Sequence, residues 1–226
     1  VLLITALAAV IFSIKYSKNV LNKTRIRTLA LLQVLGILGQ GVLGGITVLT
    51  DLHPLPVAGH FLLSIFLISG AISLRYELVG VVREEAVGIL KPILPLLIWL
   101  TLFVLIAGTI VTGSGPHAGD EQAKRFGFDP RFVSWLHADL VIALLVLTGM
   151  LFLITCQSQL KIINKRIGLF LLICLAQGLV GYVQYFTGLP VVLVAIHLLG
   201  ATLVWVSAWS LIKVADSGFK LKGFHL

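Results

Sequence analysis

Apolar runs of bilayer-spanning length follow one another along nearly the whole chain, separated by short polar segments. A helix needs roughly 20 such residues to cross the hydrocarbon. Seven runs are read, at about 1–14, 28–49, 57–79, 92–112, 134–156, 167–187 and 190–212, the first of them short. In lipid every backbone polar group must be satisfied within the protein, so runs of this length predict an all-α polytopic helical bundle.

One part of this pattern is written twice. Residues 32–62 align with 169–199 without a gap at an offset of 137, pairing Gln40 with Gln177, Gly41 with Gly178, Gly44 with Gly181, Thr50 with Thr187 and His60 with His197. Matched leucines are cheap in any apolar helix, but matched Gln, Gly and His are not. Repeats with an even number of spans are parallel halves. The four runs from 92 onward form one half, and the three before it match the last three of that half. The repeat therefore predicts eight spans in two pseudo-symmetric four-helix halves, about seven of them here and the first partial. On this reading 1–80 is the amino-terminal half-bundle, 81–91 a cytoplasmic linker and 92–226 the carboxy-terminal half-bundle.

Composition agrees: 58% of residues are hydrophobic, 12% are charged, and mean hydropathy is +1.08. The net charge of +8 would suggest a nucleic-acid partner were it not so unevenly distributed. Of 17 Lys and Arg residues, 14 fall in alternate loops, at 15, 18, 23, 25, 27, 75, 83, 91, 161, 165, 166, 213, 220 and 222. That is the cytoplasmic bias of an inserted bundle, so it reports topology and excludes nucleic acid as the target. Cys156 and Cys174 lie in or near spans toward the cytoplasmic side, where no disulfide is expected.

The histidines are where chemistry is expected. His137 opens the run 134–156 and His197 lies a similar distance into the last run, so both imidazoles sit in the exported leaflet. Polar groups at that depth are costly unless they bind something. Two neutral imidazoles facing each other across a bundle can ligate haem iron from both sides. The bland alternative is a pair of interfacial histidines bonded to backbone or water. His60, the copy of His197, lacks a visible partner, because the copy of His137 falls at or before position 1; alone it would leave one coordination position open for a substrate haem. Lys124, Arg125 and Arg131 break the inside bias, and in an exported loop they are candidate partners for haem propionates, or equally partners of Asp120, Glu121 and Asp129. Gln40 and Gln177 are candidates to orient the ligand imidazoles, or equally to bridge helices. Asp139, within the bilayer, has Gln177 and Gln184 as candidate hydrogen-bond partners, or equally packs against a neighbouring helix. His53, His117 and His225 read as solvated. Phosphate cradles, nucleophile elbows and cysteine metal spacings are absent from the sequence.

Together, the run Val111 to Asp120 (Val-Thr-Gly-Ser-Gly-Pro-His-Ala-Gly-Asp), the Trp135-Leu136-His137 helix start and the duplicated Gln-Gly…His segment resemble haem A synthase, the cytochrome oxidase assembly enzyme, and most of all its actinobacterial branch. The resemblance implies eight spans in two halves and a haem-dependent oxidoreductase that converts the methyl group of haem O to the formyl group of haem A. It implies haem b between His137 and His197 and substrate haem at His60. The family's Glu-containing motif would lie before Val1, so the catalytic residues are expected upstream. The implied surroundings are the bacterial cytoplasmic membrane with haem ligands near the exported face, and the implied partners are haem O synthase and electron-transfer proteins; a homo-oligomer is compatible. The rival readings are a membrane cytochrome b-type carrier without substrate chemistry and, less favoured, a parallel-repeat transporter.

Overall fold

The computed structural model describes residues 2–16, 22–116 and 122–216. Seven helices occupy them: α1 Leu2–Tyr16, α2 Lys23–Leu49, α3 Pro54–Val79, α4 Leu90–Ser114, α5 Pro130–Cys156, α6 Lys161–Phe186 and α7 Val191–Val214. The last six are long and apolar enough to cross a membrane, and α1 is a shorter apolar helix. The protein is a multi-pass helical bundle. Two-residue strands β1 (Glu84–Glu85) and β2 (Ala215–Asp216) pair in parallel.

Helices overrun the apolar stretches that predicted them. Helix α2 begins at Lys23 and so takes in Arg25 and Arg27, α6 begins at Lys161, and α5 begins at Pro130. An α-helix satisfies its own backbone whatever its side chains are, so it continues past the hydrocarbon until a cap stops it. Asp129 is one such cap, its Oδ1 accepting from Arg131 N at 2.9 Å ahead of Pro130. His53 is another, its Nδ1 accepting from Leu55 N at 3.3 Å ahead of Pro54. This histidine, read as solvated polarity, thus has a structural use.

The chain forms two compact units, one of residues 1–81 with 122–125 and one of 82–121 with 126–226. In the first, α2 packs against α1 and α3. Its basic end is closed by Arg25, whose Nε lies 3.0 Å from Glu77 Oε1, while Asn22 Nδ2 donates to Glu77 Oε2 at 3.3 Å. In the second, α4 packs on α5, α5 on α6, α6 on α7 and α7 back on α4, a closed four-helix ring with α5 and α7 on one diagonal.

Most of the core of this ring lies toward one end. Buried side chains of α6 run from Ile163 to Cys174 and those of α7 from Val204 to Val214. In α5 they lie at Val133 and then from Leu144 to Thr155. Trp205, among the largest buried side chains, stacks on Trp209 in this half. Among the described residues nothing in α6 beyond Cys174 or in α7 before Val204 is fully buried. The ring buries most of its side chains at the basic ends of its helices, with Gly113 and Ser114 of α4 and Val133 of α5 the buried residues at the turn end.

The basic end is also clasped. The Glu84 carboxylate accepts from Ile162 N at 3.0 Å and Ile163 N at 2.8 Å, capping α6 from a distant segment. Its neighbour Glu85 reaches only exposed Lys91, at 3.1 Å. An anion on two orphan amides at a helix N-terminus stabilises by about 1–2 kcal/mol. Glu84→Gln is expected to lower the thermal unfolding midpoint of the purified protein in detergent by several degrees. Glu85→Gln should leave it unchanged; equal shifts would remove the capping role.

Candidate functional site

Each hairpin turns through the same geometry. Helix α2 ends with Leu52 N donating to Thr47 O at 3.0 Å and Asp51 N to Val48 O at 3.2 Å; α6 ends with Leu189 N donating to Gln184 O at 2.8 Å. Asp51 and Gly188, at matched positions, have φ of 50° and 78°, and Leu52 and Leu189 follow with 54° and 60°. Glycine takes the left-handed region freely and aspartate tolerates it, but a leucine there costs roughly 1 kcal/mol or more. The reverse bonds to the preceding turn offset that cost. Thr50 and Thr187 also match, their hydroxyls donating to Ile46 O at 2.8 Å and Val183 O at 2.7 Å.

This turn fixes the register in which α3 returns along α2, and α7 along α6. Gln40 Nε2 then donates to His60 O at 3.0 Å and to Ser64 Oγ at 2.7 Å, and Ser64 Oγ donates to His60 O at 3.0 Å. Gln177 Nε2 donates to His197 O. Both glutamines thus hold the backbone of a histidine, not its ring.

The rings themselves lie on glycines of the preceding helix. A β-carbon built on Gly181 would stand 3.2 Å from His197 Cε1 and 3.8 Å from Nδ1. One built on Gly108, in α4, would stand 3.3 Å from His137 Cε1 and 3.7 Å from Nδ1. One built on Gly44 would stand 3.4 Å from His60 Nε2 and 3.7 Å from Cδ2. All three imidazoles occupy the same kind of seat, His60 with its ring turned over about the Cβ–Cγ bond.

His137 and His197 are half-buried at similar depths, each within the first two turns of its helix counted from the turn end. They project from α5 and α7, the diagonal pair. Nδ1 of each is fully buried without a hydrogen-bond partner. The Val104 carbonyl is within electrostatic reach of the His137 ring but falls short of hydrogen-bond geometry. Both belong to the half of the ring with fewer buried side chains.

These features fit a planar macrocycle. Among the described residues no group of three or more His, Cys, Asp or Glu could hold a bare ion. A structural zinc site takes about four protein ligands, whereas a porphyrin brings its own equatorial nitrogens and asks only for axial ones. His137 and His197, on the diagonal helices α5 and α7 of one ring and each with an unpaired buried Nδ1, are the residues that would hold such a group. Their burial without a partner would otherwise be a net cost.

Other expected residues sit elsewhere. Lys124, exposed, and Arg125, half-buried, belong with the amino-terminal unit, whereas Arg131 lies in the carboxy-terminal one with its guanidinium 5.6 Å from the Trp135 ring centroid. Asp139 is exposed on α5, and the amide nitrogen of Gln177 is committed to His197 O. Cys156 and Cys174 are free thiols. His117, Asp120, Glu121 and His225 lie outside the described residues. Sequence reasoning missed Gly108; its only signal was a glycine in α4, with no copy in the chain to mark it.

No protein-family model, curated protein or solved structure matches this chain.

Each interhelix bond in such a hairpin contributes about 0.6–1 kcal/mol. Gln40→Leu removes two bonds and Gln177→Leu one. Amide hydrogen exchange around residues 58–64 should therefore accelerate more in the first variant than exchange around 195–201 in the second. Equal or absent acceleration would show that neither glutamine holds its hairpin.

Proposed function

We propose that this protein is a haem-binding membrane oxidoreductase of the haem A synthase type, holding haem b between His137 and His197 and receiving haem O at His60. The methyl group of that haem O would become the formyl group of haem A. The observation that carries the reading is the pair of imidazoles on diagonal helices at matched depth, with buried unpaired nitrogens in the half of one four-helix ring that has fewer buried side chains. Haem iron would supply the redox chemistry that oxidation of a methyl group requires.

The chain supplies the rest. His137 and His197 are the axial ligands in this reading, and Gln177, by holding His197 O, stops α7 from sliding along α6. His60, held likewise by Gln40, is in this reading the ligand of the substrate haem. Lys124 and Arg125 belong to the unit of His60, so they are the cations for carboxylates of the substrate ring, and Arg131 serves the carboxy-terminal unit. Apolar side chains around each ring exclude water from the reaction. The lysine and arginine bias supports a reading in which the turn ends face the exported side, and the membrane would be a bacterial cytoplasmic membrane. Haem O synthase is then the natural donor of substrate, and an electron-transfer partner the acceptor.

One observation favours a second reading. The two hairpins share turn, glutamine bond and glycine seat, as expected if both units hold haems of equal standing. That would make the protein a cytochrome b-type carrier.

In the purified full-length protein, His137→Ala and His197→Ala are each expected to abolish a low-spin signal in the reduced-minus-oxidised spectrum. Survival of that signal in both variants rules out the ligand assignment. Coexpression with a haem O source, followed by pigment extraction, separates enzyme from carrier. Haem A appears only if the first reading holds, and its yield should fall at least tenfold in His60→Ala.

A further inference from the structure

The seats beneath the histidines are glycines for a reason that helix packing alone does not supply. Of the glycines in the described helices, Gly41, Gly45, Gly149 and Gly178 face open space, where an added β-carbon meets nothing within 4 Å. Gly44, Gly108 and Gly181 alone face a histidine ring. Each stands on the helix preceding its histidine in an antiparallel pair: α2 before α3, α4 before α5, α6 before α7. Contacts of 3.2–3.4 Å are tighter than a β-carbon ordinarily accepts, so an alanine would require the ring to give by a few tenths of an ångström.

A ring in contact with backbone on one side has few rotations open to it. Neither His137 Nδ1 nor His197 Nδ1 has a hydrogen bond to fix the ring plane, the means by which proteins commonly orient an imidazole ligand. Steric contact with the glycine is the remaining constraint. The contact distances at Gly108 and Gly181 agree within 0.1 Å for Cε1 and 0.1 Å for Nδ1, so the two rings lie on their seats in the same pose.

We infer that Gly108 and Gly181 are positioning residues: they set the planes of the His137 and His197 imidazoles by contact in place of a hydrogen bond, and Gly44 does the same for His60. The inference rests on the proposed haem site for its consequence, but the contact itself can be tested without haem.

The first arm is a double-mutant cycle on the full-length protein in detergent. Gly181→Ala should lower the thermal midpoint, and the same substitution in a His197→Ala background should not, because the ring it would strike is gone. Gly178→Ala, one turn away and facing open space, is the control and should be neutral or stabilising in both backgrounds, as alanine is the better helix former. Equal effects of Gly181→Ala with and without the imidazole overturn the inference, whether or not any haem is bound.

The second arm reads the iron. In haem-loaded protein Gly108→Ala and Gly181→Ala should shift the highest g value of the low-spin signal, which follows the ligand planes. They should also release haem to apomyoglobin about tenfold faster, the size of effect seen when a ligand's support is lost. Gly178→Ala should do neither. Unchanged g values and release rates in both seat variants overturn the positioning role. Absence of any haem from the parent protein would instead defeat the proposed function and leave the first arm to decide the contact.

Discussion

Two antiparallel helices can approach closely only where one of them lacks a side chain, and the histidine arrangement depends on that approach. In hydrocarbon there is no hydrophobic force drawing helices together, so close van der Waals contact and interhelix hydrogen bonds must do it. Gly181 brings α6 near enough for the His197 ring to rest on its backbone, and Gln177, one turn earlier, bonds His197 O across the same gap. The two contacts are mutually dependent. A glutamine side chain reaches a carbonyl on the next helix only if the helices are close, and the carbonyl is in register only if the turn at Gly188 and Leu189 returns the chain with the correct offset. Gly44, Gln40 and the turn at Asp51 and Leu52 repeat the whole assembly.

Duplication explains what the sequence disclosed. Helices of this length and polarity are legible because lipid leaves no alternative way to satisfy a backbone. Gln40, Gly44 and His60 stood out because each has a copy, and the structure makes them touch. Gly108 has no copy in the chain, so nothing distinguished it from glycines that face empty space. The Glu84 cap on α6 was equally hidden, since the partners are separated by some seventy-eight residues and the interaction is with backbone amides, which carry no sequence signal. Asp51 and Leu52 looked like loop residues before a proline; the strain they carry is visible only as φ. The three exported cations read as one set because sequence gives proximity along the chain, whereas Lys124 and Arg125 pack with one unit and Arg131 with the other.

Where the copies diverge, the two sites are set apart. Ser64 gives Gln40 a second acceptor, while its counterpart Ala201 gives Gln177 none. Gln184 replaces Thr47, whose hydroxyl is spent on Leu43 O, and leaves a buried oxygen unpaired close to the turn end. His60 meets its glycine through Nε2, whereas His197 does so through a ring carbon. A structural scaffold alone would give no reason for such differences, because helix packing is served equally well by either set. They alter only what surrounds the imidazole, which is where two haems with different fates would need different surroundings.

The distribution of packing bears on the same division of labour. A helical bundle that needed only to be stable would fill its interior along its full length, since protein interiors approach the density of organic crystals and each unfilled methylene-sized gap is felt. Here the carboxy-terminal ring is filled from Ile163 to Cys174 on α6 and from Val204 to Val214 on α7, and clasped by Glu84 at that end. Its other half, which holds both imidazoles, is left half-exposed. Packing is therefore densest away from the two imidazoles. A turn end with fewer buried side chains leaves the histidine-bearing stretch of α5 and α7 freer to adapt to what binds there, and any ligand that binds the folded bundle in preference to the unfolded chain would stabilise it.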